Sequence, residues 1–246
     1  MTGYQSAYRF PFPGRVFTVP ALMLVALLSG CGKADLTEAE YMQRAKNYQD
    51  QGDLRASVIE LKNVLTKNPN NPEARWLLGK VYVALESGAA AEKELVRARE
   101  LGVDPTATAV PLGRALLLQG KAQQILDEIK VTESAPAAVR VGVLTLRGEA
   151  NLGLGQTQTA QNDLSAALET CANSKCSDTL LALAKLAQRS GDPAKARDWI
   201  MKAAAQDPKN AAIWRNLGDL ETSQNHRKEA LINICHHRRE SRNQII

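Results

Sequence analysis

From Thr37 onward the apolar and polar positions repeat with two nested periods. The shorter is helical: apolar residues recur three and four apart, as in Leu61, Val64 and Leu65, which puts them on one helix face. The longer is 34 residues: Ala45, Tyr48, Ser57, Leu61 and Val64 recur as Gly79, Tyr82, Ala91, Leu95 and Ala98, and a further step reaches Gly113 and Leu116. Gly148, Gly155, Ala160, Leu164, Ala167 and Leu168 form a fourth unit, offset by one residue. Ala184, Ala187, Gly191, Ala196, Ile200, Ala203 and Pro208 form a fifth, and Trp214, Leu217, Gly218 and Ala230 open a sixth. Each unit predicts two antiparallel helices, with small residues where they approach closely and larger ones beside them. Helices of about a dozen residues are marginal alone in water, so stability must come from stacking.

The punctuation agrees with this division. Thr37-Glu38-Ala39-Glu40 reads as a capping box. Asn71-Pro72, Asp104-Pro105, Asp192-Pro193 and Asp207-Pro208 each predict a capping side chain before a proline at the first helical position. Gly52, Gly120, Gly155 and Gly191 fall between paired helices. The third unit departs from the pattern, with Ile125 where a small residue is expected and a stretch around Thr132-Glu133-Ser134-Ala135-Pro136 before the fourth, and looser packing is expected there. The unit resembles the tetratricopeptide repeat, over residues 37–234. That resemblance implies an all-α, right-handed superhelical solenoid of five to six helix-turn-helix units whose concave groove takes a protein or peptide.

Residues 1–30 have a different pattern. Arg9 and Arg15, with no acidic residue nearby, precede an apolar run from Val16 to Leu28. The run is shorter than the roughly 18 residues a membrane helix needs, but it suits a secretory signal. It leads into Leu28-Ser29-Gly30-Cys31, which resembles the lipobox of bacterial lipoproteins. The resemblance implies lipidation of Cys31, removal of residues 1–30, and a short linker over 31–36. With Gly32 rather than Asp after the cysteine, it implies anchoring in the outer membrane with the body in the periplasm.

The 246-residue chain carries a formal charge of +5 and a pI near 9.0. Much of the excess sits at the two ends, and the repeat region is nearly neutral, without the clustered Lys and Arg that a phosphate backbone requires. No nucleic-acid partner is expected. Neither a catalytic signature nor a cofactor motif emerges: the three histidines (His226, His236, His237) show no HExxH spacing, and Gly153-Leu154-Gly155 lacks the rest of a dinucleotide fingerprint. Cys235-His236-His237 has no fourth ligand, so no metal site is expected. Cys171 and Cys176 enclose four residues; in an oxidising compartment they form either a disulfide or two packed thiols.

On the first helix of each unit, the residue after the small Ala or Gly should face the concave surface. These residues are Lys46, Lys80, Arg114, Glu149, Lys185 and Asp219. The four cations among them predict a stripe that draws in an acidic partner, either a carboxylate-bearing peptide or an anionic polysaccharide.

The local wording of the first two units is more distinctive. Ala45-Lys46-Asn47-Tyr48, Gln51-Gly52-Asp53, Ile59 to Leu65, Lys67-Asn68-Pro69, Ala74-Arg75-Trp76-Leu77-Leu78-Gly79, Ala90 to Leu95 and Glu100-Leu101-Gly102, behind a lipobox, resemble the PEP-CTERM/exosortase tetratricopeptide lipoproteins called PrsT. That resemblance implies a non-catalytic scaffold in envelope protein sorting and extracellular polysaccharide export. The pattern breaks after Leu231: residues 235–246 concentrate His236, His237, Arg238, Arg239 and Arg242, a tail expected of a truncated or frameshifted product. Two other readings stay open, an outer-membrane assembly lipoprotein of the pilotin or barrel-biogenesis type and a regulatory subunit of a polysaccharide-modifying enzyme.

Overall fold

The structure, a computed structural model, describes residues 36–171 and 175–224, and every described helix lies in the unit that begins at Thr37. Among the described residues there are eleven helices and no strand. They pair as α1 (Glu38–Asp50) with α2 (Leu54–Lys67), α3 (Pro72–Ala84) with α4 (Gly88–Glu100), and α5 (Pro105–Leu118) with α6 (Ala122–Glu128). Next come α7 (Ala137–Gly153) with α8 (Thr157–Cys171) and α9 (Ser177–Arg189) with α10 (Pro193–Gln206); α11 (Ala211–Ser223) starts a sixth unit.

Local chemistry sets the helix starts. At α1 the Glu40 N–H donates to Thr37 Oγ1 at 3.3 Å while the Thr37 N–H donates to Glu40 Oε2 at 2.7 Å, closing the capping box. The Thr37 N–H and the Thr37 hydroxyl, which donates to the same Oε2 at 2.8 Å, hold the Glu40 carboxyl below its ordinary range. Asn71, Asp104 and Asp192 cap α3, α5 and α10, each ahead of a proline. The expected cap at Asp207-Pro208 is not used. Asp207 ends α10, and Asn210 caps α11 by accepting from the Ala212 N–H at 3.0 Å. The reason lies in the turn: Asp207-Pro208-Lys209-Asn210 repeats the geometry of Asn68-Pro69-Asn70-Asn71, with the proline inside the turn. In the first case Arg75 donates to the Pro69 carbonyl; in the second the Trp214 indole donates to that of Pro208 at 2.8 Å.

Between paired helices Gly52, Gly120, Gly155 and Gly191 adopt φ of +69° to +77°, the left-handed conformation that ends a helix cheaply only for glycine. The second unit has Glu86 at that place, with φ of +56°. A pair of hydrogen bonds holds it there, from the Ser87 N–H to the Tyr82 carbonyl and from the Glu86 N–H to the Val83 carbonyl.

The repeat positions form the core. Ala45, Leu61, Val64, Ala91, Leu95, Ala98, Leu116, Ala160, Leu164, Ala167, Ala196 and Ala203 are fully buried. A Cβ on Gly79 would lie 2.5 Å from Leu95, and one on Gly148 2.6 Å from Leu164, so glycine there lets the paired helices close. The third unit obeys a different solution. Its second helix has only 7 residues, and Ile125 stands where Ala91 and Ala160 stand in its neighbours. The space beside Gly113 is taken by Leu146 of α7. Ile125 and Ile129 are buried, so the core is filled rather than loose. The irregularity appears instead as a shortened helix, an extended link to α7 and a cleft of about 150 Å³ near Ile129 and Val139. The solenoid continues across it through contacts of α7 with both α5 and α6.

Candidate functional site

From α3 onward the odd-numbered helices form one continuous wall. α3 touches α5, α5 touches α7, α7 touches α9 and α9 touches α11, whereas no two even-numbered helices make a comparable contact. First helices packed closely and second helices splayed apart place the odd helices on the inner side of the stack. A groove of about 610 Å³ opens on that side, and every residue lining it belongs to α5, α7, α9 or α11. Leu117 and Leu152 supply apolar surface; Glu149, Lys185 and Arg189 supply charge.

The stripe read from the repeat register lies on these inner helices, and its cations are already engaged. Lys46 of α1 pairs with Glu73 of α3 at 2.8 Å. Lys185 of α9 pairs with Glu149 of α7 at 2.7 Å. Arg114 of α5 reaches past α7 to pair with Asp178 in the first turn of α9. Lys80 sits 4.3 Å from the centroid of the Trp76 ring and has no carboxylate partner among the described residues. Arg189, which the register did not single out, donates to the Leu152 carbonyl. The register gave Glu149 and Lys185 as neighbouring positions of the stripe, but not that they pair with each other. Asp178 was outside the stripe altogether, because its partner lies two units away.

Cys171 and Cys176 form a disulfide with Cα atoms 6.2 Å apart, at the junction of α8 and α9. The Cys176 N–H donates to Gln206 Oε1 of α10 at 2.9 Å, which ties the same junction to the next helix. Among the described residues no group of three His, Cys, Asp or Glu is placed to hold a metal ion, and no helix is long and apolar enough to cross a membrane. Leu28, Ser29, Gly30 and Cys31 lie outside the described residues, as do all three histidines, Cys235 and the tail over 235–246.

Residues 48–110 and 177–220 each match a family model described as tetratricopeptide repeat. The fold is a tetratricopeptide-repeat solenoid. Solved structures agree. PilW, a widely conserved type IV pilus biogenesis factor, superposes with a TM-score of 0.59 at 17% identity, over 80% of this chain and 90% of that one. A thermophilic tetratricopeptide protein of Thermus thermophilus gives 0.56 at 19% identity, over 80% and 100%. PilF of Pseudomonas aeruginosa gives 0.54 at 18% identity, over 80% and 88%. No curated protein matches the chain. At these identities the likeness is one of fold.

Proposed function

We propose that this chain is a non-catalytic scaffold that holds an extended segment of a protein partner in the groove of its inner helices, while a lipid on Cys31 anchors it to the outer membrane facing the periplasm. The observation that carries the reading is the groove itself: it is walled by four successive inner helices and combines Leu117 and Leu152 with fixed charges, a mixture suited to side chains of both kinds. The lipobox Leu28-Ser29-Gly30-Cys31 supports the anchor, and the Cys171–Cys176 disulfide suits an oxidising compartment.

The wording of the first two units favours a place in exosortase-linked protein sorting and polysaccharide export, with the export machinery as partner. The likeness in fold to PilW and PilF supports the second reading, an outer-membrane assembly lipoprotein of the pilotin type. A regulatory subunit of a polysaccharide-modifying enzyme is the third.

Photo-crosslinkers placed at Leu117 and Gln188 in cells test the groove and sort these readings. Capture of sorting or polysaccharide-export proteins supports the first, capture of a secretin or barrel protein the second, and capture of a polysaccharide-modifying enzyme the third. Absence of any crosslink from both positions would remove the groove from the account. Cell fractionation tests the anchor: wild type is expected with the outer membrane and Cys31→Ala away from it. Equal distribution of the two would overturn the lipoprotein reading.

A further inference from the structure

The short second helix of the third unit leaves a space that the other units fill. α2, α4, α8 and α10 run for 13 to 15 residues, whereas α6 stops after 7 and the chain crosses to α7 as an extended link. The cleft of about 150 Å³ opens there, lined by the last turn of α4, the start of α5, the end of α6, the link and the start of α7. It lies among helix ends and shares no residue with the inner groove. Ile129, Val139 and Val143 give it apolar surface. Beside them stand Arg99, Lys130 and Arg140 against one carboxylate, Glu128, which accepts from Gln124 of its own helix at 2.7 Å. Arg99 donates from Nε to Thr108 Oγ1 at 3.2 Å, Arg140 from Nη1 to the Glu133 carbonyl at 3.1 Å, and Lys130 from Nζ to the Leu126 carbonyl at 2.8 Å. All three acceptors are neutral, and none of the three cations has a carboxylate partner among the described residues. These contacts fix the two half-buried guanidiniums while leaving both terminal nitrogens of Arg99 and Nη2 of Arg140 without a partner among the described residues.

We infer that this cleft binds an organic carboxylate with a compact apolar body: Arg99 and Arg140 hold the carboxylate, Lys130 adds its charge, and the body packs on Ile129, Val139 and Val143. A guanidinium offers paired donors that match the two oxygens of a carboxylate, and the excess of positive charge in the cleft attracts an anion. The apolar lining favours a ligand with a body over a bare inorganic anion, which gains nothing from it. Volume sets the size: about 150 Å³ is room for one benzene ring, and a planar carboxylate is a small enough head to leave that room. The site exists only where the repeat is broken, because a full-length α6 would occupy the space. It is independent of whatever the inner groove holds.

Benzoate is the first probe, with benzamide as its neutral counterpart and inorganic phosphate as an anion without an apolar body. Binding to the full chain is read by calorimetry and by the shift of Tm. Benzoate is expected to bind with a Kd of about 1 mM or below, the range for so small a ligand, and benzamide and phosphate about tenfold or more weakly. Arg99→Gln and Arg140→Gln should each weaken benzoate about tenfold. Ala135→Leu, which keeps every charge and adds bulk to the lining, should abolish binding, and Lys62→Gln on the exposed side of α2 should leave it unchanged. Circular dichroism checks that each variant folds. N-acetylseryl-leucine and its C-terminal amide separate the two sources of such a head. Binding of the peptide acid but not the amide assigns the site to the last residue of a polypeptide, and binding of benzoate without the peptide assigns it to a free acid. Equal binding of benzamide removes the anionic head, equal binding of phosphate removes the apolar body, and unchanged affinity in both arginine variants places benzoate elsewhere. Each of these overturns the inference, as does the failure of every probe to bind.

Discussion

At the scale of single residues, the solenoid's departures from its own repeat are its most informative positions. Glu86 occupies a left-handed turn that four other units give to glycine. The conformation costs an L-residue roughly 1 kcal/mol. Glu86→Gly is therefore expected to raise stability by about that amount, read as a shift of the urea midpoint at constant slope. Asp163 is a second case. Burial raises its pKa above the ordinary 3.8, and Arg147 and a hydrogen bond from the Asn151 amide at 2.8 Å only partly offset this. A raised carboxyl pKa means that the folded state prefers the protonated form, so ionisation costs stability as pH rises through that range. Asp163→Asn should thus stabilise the protein at pH 7, and the gain should vanish near pH 3, where both side chains are neutral; denaturant titrations at the two pH values check the sign. Glu92 has the opposite sign. Burial raises its pKa, but hydrogen bonds from Lys121 and Gln119, both at 2.6 Å, outweigh this and lower it overall. Its contribution is present at neutral pH and is lost as pH falls below the ordinary 4.5.

At the scale of elements, most helix boundaries were legible because caps are local. Thr37, Asn71, Asp104 and Asp192 each satisfy backbone N–H groups within three residues, and such signals survive in a bare sequence. Asp207 shows where this reading stops. An Asp-Pro dipeptide looks the same inside a turn as at a helix start, and the distinction was made by Trp214 reaching back to the Pro208 carbonyl. Asn210→Ala is expected to cost about 1 kcal/mol, the usual worth of a cap, and Asp207→Ala clearly less. Thermal melts of the two variants order them, and the reverse order would restore Asp207 as the cap.

At the scale of the whole molecule, each unit contacts its neighbours, so stability passes along the chain through a series of interfaces. The interface between the third and fourth units depends on Leu146, which fills the space at Gly113 and is 3% exposed. Leu146→Ala is expected to cost about 2–5 kcal/mol and to uncouple the two sides of the solenoid. Hydrogen exchange checks this: α1–α4 and α8–α10 should lose protection at different denaturant concentrations in the variant and together in the wild type. Loss in step in both forms would show that this junction does not govern cooperativity.

The sequence alone determined the helical class, the 34-residue unit, the buried small and large positions and most of the turns. All of these rest on contacts within a unit or on backbone chemistry within a few residues, which recur wherever the pattern recurs. It also placed Lys46, Lys80, Arg114 and Lys185 on the inner helices, because register is a matter of counting. Only the tertiary structure decided what those cations do. Arg114 meets Asp178 across 64 positions of chain and Lys185 meets Glu149 across 36, and both pairings depend on how successive units stack. The same holds for Leu146 at Gly113: a side chain from the next unit took a space that the repeat assigns to a partner within the same unit, once α6 ended after 7 residues. Local periodicity fixes which face a residue occupies, whereas its partners depend on the stacking of whole units, which no single unit encodes.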